Sequence, residues 1–145
     1  MRVEIVDIDP LHIREICDSL RARERRAFAR ATDPEMQVTI AVRESMMSFA
    51  GVVDGEVVAL GGVQCRDIFA DEAYIWILCG EGVERYPLAF IRGTLQAFEL
   101  VKARFKTVYG FVDPSFVKSV RWLEWMGFSI GPIENGVREF RWTRP

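Results

Sequence analysis

Residues 113–128 read DPSFVKSVRWLEWMGF, and this stretch contains the start, body and end of one helix. Asp113 can cap the free N–H groups of a first turn, and Pro114 suits the first helical position because its missing N–H is not needed there. Gly127 can adopt the left-handed conformation that ends a helix. The stretch therefore predicts a short helix that is followed by an extended run from Phe128.

The body of this predicted helix is amphipathic. Phe116, Val120 and Leu123 recur at helical spacing and predict a buried stripe. Trp122 and Trp125 lie beside that stripe, which makes them candidates for a partner surface or an acceptor pocket.

Three elements precede this helix. Tyr74 to Cys79 is a nearly continuous apolar run, as expected of a central strand covered on both faces. Pro87 is expected to start a long helix that reaches about Phe105. Thr107 to Val112 then reads as a strand, so that strand, helix and strand alternate here.

Turn and cap signals organise the rest of the chain. Asp9-Pro10 and Asp33-Pro34 repeat the start signal of residues 113–114 and predict two further helices, with Ser19 capping a continuation of the first through Ala31. Two hairpins are predicted at Asp54-Gly55 and Asn135-Gly136, the second followed by a strand at residues 137–143.

The Gly61-Gly62 pair interrupts the second strand of the first hairpin. Such a pair indicates either a bulge or a close approach of another backbone.

Composition sets the broad class. The chain has 145 residues, half of them hydrophobic, which fits a single domain over residues 1–145. A net charge of −2 gives no general attraction to nucleic acid or membranes. Three separated cysteines and one histidine fit neither a disulfide framework nor a zinc site, so no metal is expected.

These features favour a reducing, cytoplasmic setting. The N-terminus lacks a signal-peptide pattern, and no apolar run approaches the roughly 20 residues of a membrane span.

The order of predicted elements is strand, helices, hairpin, central strand, long helix, strand, helix with Gly-Phe, and hairpin. This order resembles the GNAT family of N-acetyltransferases over nearly the whole chain. The implied fold class is α/β (α+β), with a mixed, mostly antiparallel sheet flanked by helices. Within that family, the sequence looks most like small acetyltransferase-like proteins of tailed bacteriophages, for which a virion-associated location is the alternative to the cytoplasm.

The resemblance implies a binding site for acetyl-CoA as a substrate. The pantetheine arm is expected beside the central strand, and the pyrophosphate at the N-terminus of the long helix, because free N–H groups there attract anions. The implied cofactor-binding residues are Ile77, Leu78, Cys79, Gly80, Gly82, Arg85 and Ala89.

The predicted pyrophosphate loop departs from the family pattern. Glu84 stands where the family has Gln or Arg, Pro87 stands at the first glycine, and only Ala89 fits. Glu84 would repel a pyrophosphate, and Pro87 removes one N–H donor. Arg85 can compensate with a charge-assisted contact. The alternative is an ordinary strand-to-helix turn without a phosphate.

The family's proton-transfer residues are also altered. Leu123 replaces the tyrosine that protonates the departing thiolate in many members, and Phe116 replaces a frequent asparagine. Leucine cannot transfer a proton. The alternative proton donors are Tyr109, Tyr86 and Tyr74, and Tyr109 is named as a candidate catalytic residue.

Glu81 and Asp113 are the candidate general bases, since each follows a strand that borders the implied cofactor gap. A helix cap is the favoured interpretation of Asp113, and a solvated loop residue is the favoured interpretation of Glu81. Cys79 is interpreted as a small buried residue rather than a nucleophile.

Arg23, Arg26 and Arg30 share one helix face, and a solvated surface is the favoured interpretation over nucleic-acid binding. The predicted function is transfer of an acetyl group from acetyl-CoA to a primary amine on a small molecule or a protein. The alternative is a non-catalytic interaction module, with a homodimer or a phage or host protein as partner.

Overall fold

The computed structural model describes residues 2–30 and 32–145, which form one mixed sheet and its flanking helices. The elements are β1 (Val3–Val6), α1 (Pro10–Asp18), α2 (Ala22–Ala27), α3 (Pro34–Glu44), β2 (Met47–Val53), β3 (Glu56–Gln64), β4 (Glu72–Cys79), α4 (Gly82–Arg85), α5 (Pro87–Arg104), β5 (Thr107–Val112), α6 (Val117–Trp125), β6 (Ser129–Glu134) and β7 (Val137–Thr143).

The sheet has the strand order β1-β2-β3-β4-β5-β7-β6. All neighbouring strands are antiparallel except β4 and β5, which are parallel. This arrangement confirms the predicted fold class and the predicted order of elements, to which the structure adds one short helix, α4.

Helices cover the sheet on both faces. On one face, α5 contributes Phe98, Val101 and Phe105 to a core that includes Val108 and Phe140 of the sheet. On the other face, α1 and α3 pack on β2, β3 and β4 through a second buried cluster: Ile13, Ile16, Val38, Leu60 and Leu78. The two layers hold β4 near the middle of the domain.

Two of the three Asp-Pro signals start helices as predicted. Asp9 accepts hydrogen bonds from the backbone N–H groups of Leu11 and His12, and Asp33 accepts one from Met36. Each carboxylate thereby satisfies donors that the first helical turn leaves free.

The third Asp-Pro pair does not start a helix, contrary to the prediction. α6 begins at Val117 rather than at Pro114, because Asp113 accepts hydrogen bonds from the backbone N–H and the Oγ of Ser115. This local turn competes with helix formation, and Phe116 follows in a non-helical conformation. Asp113 is therefore a turn residue and not the cap of α6.

The predicted cap at Ser19 is also wrong. Its hydroxyl donates to the carbonyls of Glu15 and Ile16, so Ser19 ends α1, and α2 begins separately at Ala22. Ala31, the predicted end of that helix, lies outside the described residues.

The Gly61-Gly62 pair is a close approach and not a bulge. A Cβ on Gly62 would lie 2.8 Å from Trp76 Nε1 and 2.9 Å from the Met47 carbonyl oxygen. The register of this hairpin shifts instead between Gly51 and Val52, where Val58 of β3 has no opposite residue. Within residues 2–30 and 32–145, no helix combines the length and apolar character needed to cross a membrane.

Candidate functional site

The two parallel strands at the centre of the sheet separate along their length. β4 and β5 pair only at Glu72 with Thr107, Ala73 with Val108 and Tyr74 with Tyr109. Beyond Tyr74, β4 continues to Cys79, and no strand among the described residues pairs with it on this side. We call the resulting wedge between residues 75–79 and residues 110–112 the cleft.

Backbone groups of β4 line the cleft. The N–H of Gly80 donates to the carbonyl of Val58 on β3 over 2.9 Å. Because backbone groups in an antiparallel pair alternate between facing and leaving the partner strand, those of Ile77 and Cys79 point into the cleft. At the end of the strand, Leu20 bridges Gly80, and the N–H of Glu81 donates to the Ser19 carbonyl over 2.7 Å. The cleft therefore offers the backbone groups of Ile77 and the N–H of Cys79 to an extended, amide-containing ligand.

The side chains of the three predicted strand residues differ in environment. Ile77 is 47% exposed, whereas Leu78 is buried against α1 on the other face of the sheet. Cys79 is also buried, and burial raises the pKa of its thiol to about 12. A thiol with this pKa stays protonated at neutral pH, which supports packing rather than nucleophilic attack as its role.

A largely apolar cavity of about 120 Å³ lies on the α5 and α6 side of the cleft. Its lining joins β4 to both helices and includes Ile77, Ala89, Phe90, Thr94 and Trp122. Ala89, a predicted cofactor residue, is buried in this wall. The cavity therefore places the first turn of α5 next to the exposed backbone of β4.

Trp122 contributes a polar group to the wall of this cavity. Its ring packs against Phe90, with ring centroids 5.5 Å apart. Its Nε1–H is buried and has no hydrogen-bond partner among the described residues. Buried donors are almost always paired, because an unmet N–H costs free energy. Trp122 lines the cavity, and its unpaired N–H is therefore a candidate donor to an oxygen bound there.

The sequence signal for Trp122 is weak. Its position beside the apolar stripe predicted a partner surface or an acceptor pocket, together with Trp125. The structure separates the two residues: Trp125 is 65% exposed, while Trp122 is half-buried in the cavity wall.

The loop after β4 is more structured than predicted. Gly82 starts the one-turn helix α4, and a Cβ on Gly82 would lie 2.5 Å from Glu56 Oε2 and 2.6 Å from Val58 Cγ1. A Cβ on Gly80 would similarly lie 2.9 Å from Ile16 Cδ1. Both glycines thus have a packing reason that requires no phosphate.

Arg85 is paired within the protein. Its guanidinium forms an ion pair with Glu56, while about half of the side chain remains exposed. A phosphate contact by Arg85 would therefore replace or share an existing ion pair.

The N-terminus of α5 keeps free donors. Tyr86 precedes the helix without a side-chain cap, and Pro87 has no N–H to offer. The N–H groups of Leu88 and Ala89 belong to the first turn, where no intrahelical carbonyl is available to them. This end of α5 can attract an anion through these groups and the helix dipole.

α2 contacts both sides of the cleft mouth. Arg25 lies 3.7 Å from Glu81 beyond β4. Arg23 lies 4.3 Å from the ring centroid of Phe116 and 3.3 Å from Ser119 Oγ, beside and on α6. The interpretation of Arg23 as part of a solvated face is therefore wrong, because this side chain bridges two helices.

A carboxylate that the sequence did not single out lies in the same region. Glu24 accepts two hydrogen bonds from Arg21, at 3.1 Å and 2.5 Å, and the two side chains are only 13% and 15% exposed. Burial opposes the charge on Arg21, but the hydrogen bond to Glu24 leaves the pKa of Arg21 raised. The pair anchors α2 near Cys79.

The three candidate catalytic residues do not converge. Glu81 and Asp113 follow neighbouring parallel strands and so flank the cleft mouth. Tyr109 is paired with Tyr74 at the closed end, seven residues or roughly 23 Å of strand from Glu81. Tyr109 therefore does not share a site with the mouth.

Asp113 is fully exposed, and its proton affinity is reduced. Hydrogen bonds from the Oγ and then the N–H of Ser115 lower the pKa of its carboxyl group. A lowered pKa makes Asp113 a weaker proton acceptor than an ordinary aspartate.

Leu123, at the family's tyrosine position, is buried in the core beneath α6. Among the described residues, no cluster of three or more His, Cys, Asp or Glu side chains could hold a metal ion.

The arrangement of elements is similar to that of solved acetyltransferases. One is a GNAT-family acetyltransferase from Streptococcus pneumoniae, with a TM-score of 0.68 and 13% identity over 98% of this chain and 99% of that one. The PaiA N-acetyltransferase from Thermoplasma acidophilum, solved with coenzyme A, has a TM-score of 0.70 and 11% identity over 99% of each chain. YncA from Salmonella typhimurium, solved with acetyl-CoA, has a TM-score of 0.75 and 8% identity over 100% of this chain and 95% of that one.

No protein-family model and no curated protein matches the sequence. The structural similarity establishes that this chain has the GNAT fold.

Proposed function

We propose that this protein binds acetyl-CoA in the cleft and transfers the acetyl group to a primary amine. The observation that carries the proposal is the cleft itself, where β4 leaves its backbone unpaired beside a cavity that holds an unsatisfied donor. The similar structures of PaiA with coenzyme A and YncA with acetyl-CoA support the choice of ligand.

The residues present fit an acyl-CoA in three respects. The backbone groups of Ile77 and the N–H of Cys79 can pair with the amides of the pantetheine arm, as a neighbouring strand would. The N–H groups of Leu88 and Ala89 can bind a pyrophosphate oxygen at the start of α5. The Nε1–H of Trp122 can donate to a carbonyl oxygen of the acyl-CoA in the cavity.

In this proposal the protein acts by positioning and by electrostatics. The neutral amine attacks the thioester carbonyl, the new N–C bond forms, and the C–S bond breaks as the thiolate leaves. N–H groups directed at the carbonyl oxygen stabilise the negative charge that develops there. The amine proton passes to water or to a carboxylate at the mouth, for which Glu81 is the better placed base.

Glu81 is favoured over Asp113 for a physical reason. Its carboxylate is half exposed at the cleft mouth, where an amine can reach it, and Arg25 lies 3.7 Å away. The pKa of Asp113 is lowered by Ser115, which weakens it as a base. No side chain is assigned to protonate the thiolate, because Leu123 occupies the family's tyrosine position. Water can supply this proton.

A calorimetric titration with acetyl-CoA tests the proposal. Binding should be saturable, and an assay for free thiol should detect coenzyme A when an amine is added. The Arg85→Gln variant should weaken binding if Arg85 leaves Glu56 for the pyrophosphate, while Arg92→Gln on the exposed side of α5 is the matched control. Absence of any binding would refute the proposal and favour the non-catalytic alternative.

A further inference from the structure

The apolar cavity beneath α5 extends well beyond the cleft. Its sheet wall runs from Ile77 on β4, beside the cleft, to Ile5 on β1. β3 and β2 lie between these two strands, and neighbouring strands of a sheet are about 4.8 Å apart. The cavity therefore crosses three strand spacings, or roughly 14 Å. An acetyl group is much shorter than this.

The cavity exists because small residues face each other across it. On α5, Ala89, Gly93 and Ala97 recur every four residues and therefore lie on one face of the helix. On the sheet, Gly51 of β2 and Gly61 of β3 line the opposite wall. Along this line neither wall carries a bulky side chain, so the helix and the sheet leave space between them.

The cavity also divides the buried core on this face of the sheet. Phe98 and Val101 belong to one buried cluster, whereas Ala59 and Ala89 belong to another, and all four residues line the cavity. Protein interiors rarely contain voids larger than a water molecule, and an empty apolar cavity destabilises the fold in proportion to its volume. A void of about 120 Å³ is therefore best explained by an apolar group that occupies it in the ligand-bound protein.

The polar groups of the wall indicate what kind of ligand fits. The hydroxyl of Thr94 donates to the Phe90 carbonyl over 2.7 Å, so its donor is already satisfied. The unpaired Nε1–H of Trp122 lies on α6, which follows β5 and so borders the cleft. The far end of the cavity, at Ile5, is apolar. A carbonyl oxygen joined to a hydrocarbon chain matches this arrangement.

We propose that the cavity binds the hydrocarbon chain of the acyl donor, and that this protein prefers a straight four-carbon acyl group to an acetyl group. This inference rests on the proposed function and specifies its donor class. An engineered apolar cavity of about 150 Å³ binds benzene, so a cavity of about 120 Å³ has room for about four or five carbons. A butanoyl chain fits this volume, whereas an octanoyl chain exceeds it.

The transfer step is the same for the longer donor. The neutral amine attacks the thioester carbonyl, the N–C bond forms, and the C–S bond breaks with its electron pair leaving on sulfur. The nitrogen gives up one proton and the thiolate takes one up, both through water. The products are the N-butanoyl amine and coenzyme A. The chain takes no part in these bond changes, so its burial acts on the affinity for the donor.

Calorimetric titration of acetyl-CoA, butanoyl-CoA and octanoyl-CoA into the protein tests the inference. Butanoyl-CoA has two more methylene groups than acetyl-CoA, and full burial of each should tighten binding about fourfold. We therefore expect butanoyl-CoA to bind about fivefold to fifteenfold more tightly than acetyl-CoA. Octanoyl-CoA should bind no more tightly than butanoyl-CoA, because the additional carbons have no space.

A variant of the sheet wall tests whether the cavity causes this preference. Gly51 pairs with Ile5, whose Cδ1 would lie 3.1 Å from a Cβ on Gly93, so a side chain at position 51 projects toward α5. A Cβ on Gly51 would meet no atom closer than 3.8 Å, which leaves room for a larger side chain. Gly51→Val should therefore fill part of the cavity and abolish the preference for butanoyl-CoA.

Two further variants complete the test. Ala97→Leu fills the cavity from the helix side and should also abolish the preference, which keeps the test decisive if Gly51→Val does not fold. Gly131→Val on β6 is the matched control, since a Cβ there would lie 3.5 Å from the Glu139 carbonyl oxygen and Gly131 does not line the cavity. This control should keep the preference of the natural chain.

The inference is overturned if acetyl-CoA and butanoyl-CoA bind equally well, or if affinity continues to rise through octanoyl-CoA. It is also overturned if both cavity variants keep the preference. The proposed function fails separately. Binding of acetyl-CoA without a preference for butanoyl-CoA would refute the donor class alone, whereas no binding of any of the three donors would refute the enzyme and, with it, the role of the cavity.

Discussion

The replacement of Trp122 by phenylalanine isolates the contribution of one unpaired N–H group. The ring remains available to pack on Phe90, whose centroid lies 5.5 Å away, while the Nε1–H donor is removed. In the ligand-free protein this donor has no partner among the described residues, so its removal relieves a desolvation cost. In the free energy of unfolding, we therefore expect this relief to offset part of the stability that is lost with the smaller side chain.

Trp122→Phe should change the affinity for acetyl-CoA more than it changes the stability of the protein, and the affinity should fall. One hydrogen bond contributes about 0.5–1.5 kcal/mol net. Its loss should raise the dissociation constant for acetyl-CoA by about 2-fold to 12-fold. Isothermal titration calorimetry measures this change, and thermal denaturation without ligand measures stability.

Trp125→Phe is the matched control, because Trp125 lies three residues further along α6 and is largely exposed. It should bind acetyl-CoA as the natural chain does. Unchanged affinity in Trp122→Phe would refute the assignment of Trp122 as a ligand donor.

Three further predictions follow from individual side chains. Burial raises the pKa of Cys79 to about 12, so an alkylating reagent at pH 8 should modify Cys65 well before Cys79; equal rates would contradict the burial of Cys79. Gly82→Ala should destabilise the protein by about 1–3 kcal/mol in chemical denaturation, because the new Cβ would lie 2.6 Å from Val58 Cγ1, whereas Gly51→Ala meets only ordinary contacts and should cost less. The Ser115 hydrogen bonds lower the pKa of Asp113 in the folded state, so its stabilising effect should be present above the unfolded-state pKa of about 3.9 and be lost as pH falls through the lower folded value. Asp113→Asn should remove this part of the acid dependence of unfolding, and an identical acid transition in the variant would show that Asp113 makes no such contribution.

Patterns confined to neighbouring residues predicted most of the fold. The alternating residues of β7 and the flanking signals of β5 placed these strands at Val137–Thr143 and Thr107–Val112, as observed. The predicted start of α6 at Pro114 is wrong because a hydrogen-bonded turn competes with the helix there. Asp9 and Asp33 cap helices, but Asp113 bonds to Ser115, and the same Asp-Pro signal then yields a turn.

The candidate site depended on contacts between distant parts of the chain. Arg85 was predicted to face a phosphate, but its ion pair with Glu56 joins residues 29 positions apart. Arg23 meets Ser119 across 96 positions, which no helix-face pattern on α2 can reveal. The missing hydrogen-bond partner of the Trp122 Nε1–H likewise depends on the folded structure, because residues from distant parts of the chain line the cavity. The proposed phage origin, dimer and cellular location stay predictions.

Whether the cleft binds acetyl-CoA is decided by calorimetric titration of acetyl-CoA into the purified protein. We expect saturable binding with a stoichiometry near one per chain, weakened by Trp122→Phe and unaffected by Trp125→Phe. Absence of heat, together with no thermal stabilisation at millimolar acetyl-CoA, would contradict it, because a cleft built to pair with an acyl-CoA must stabilise the folded state when the ligand is in excess.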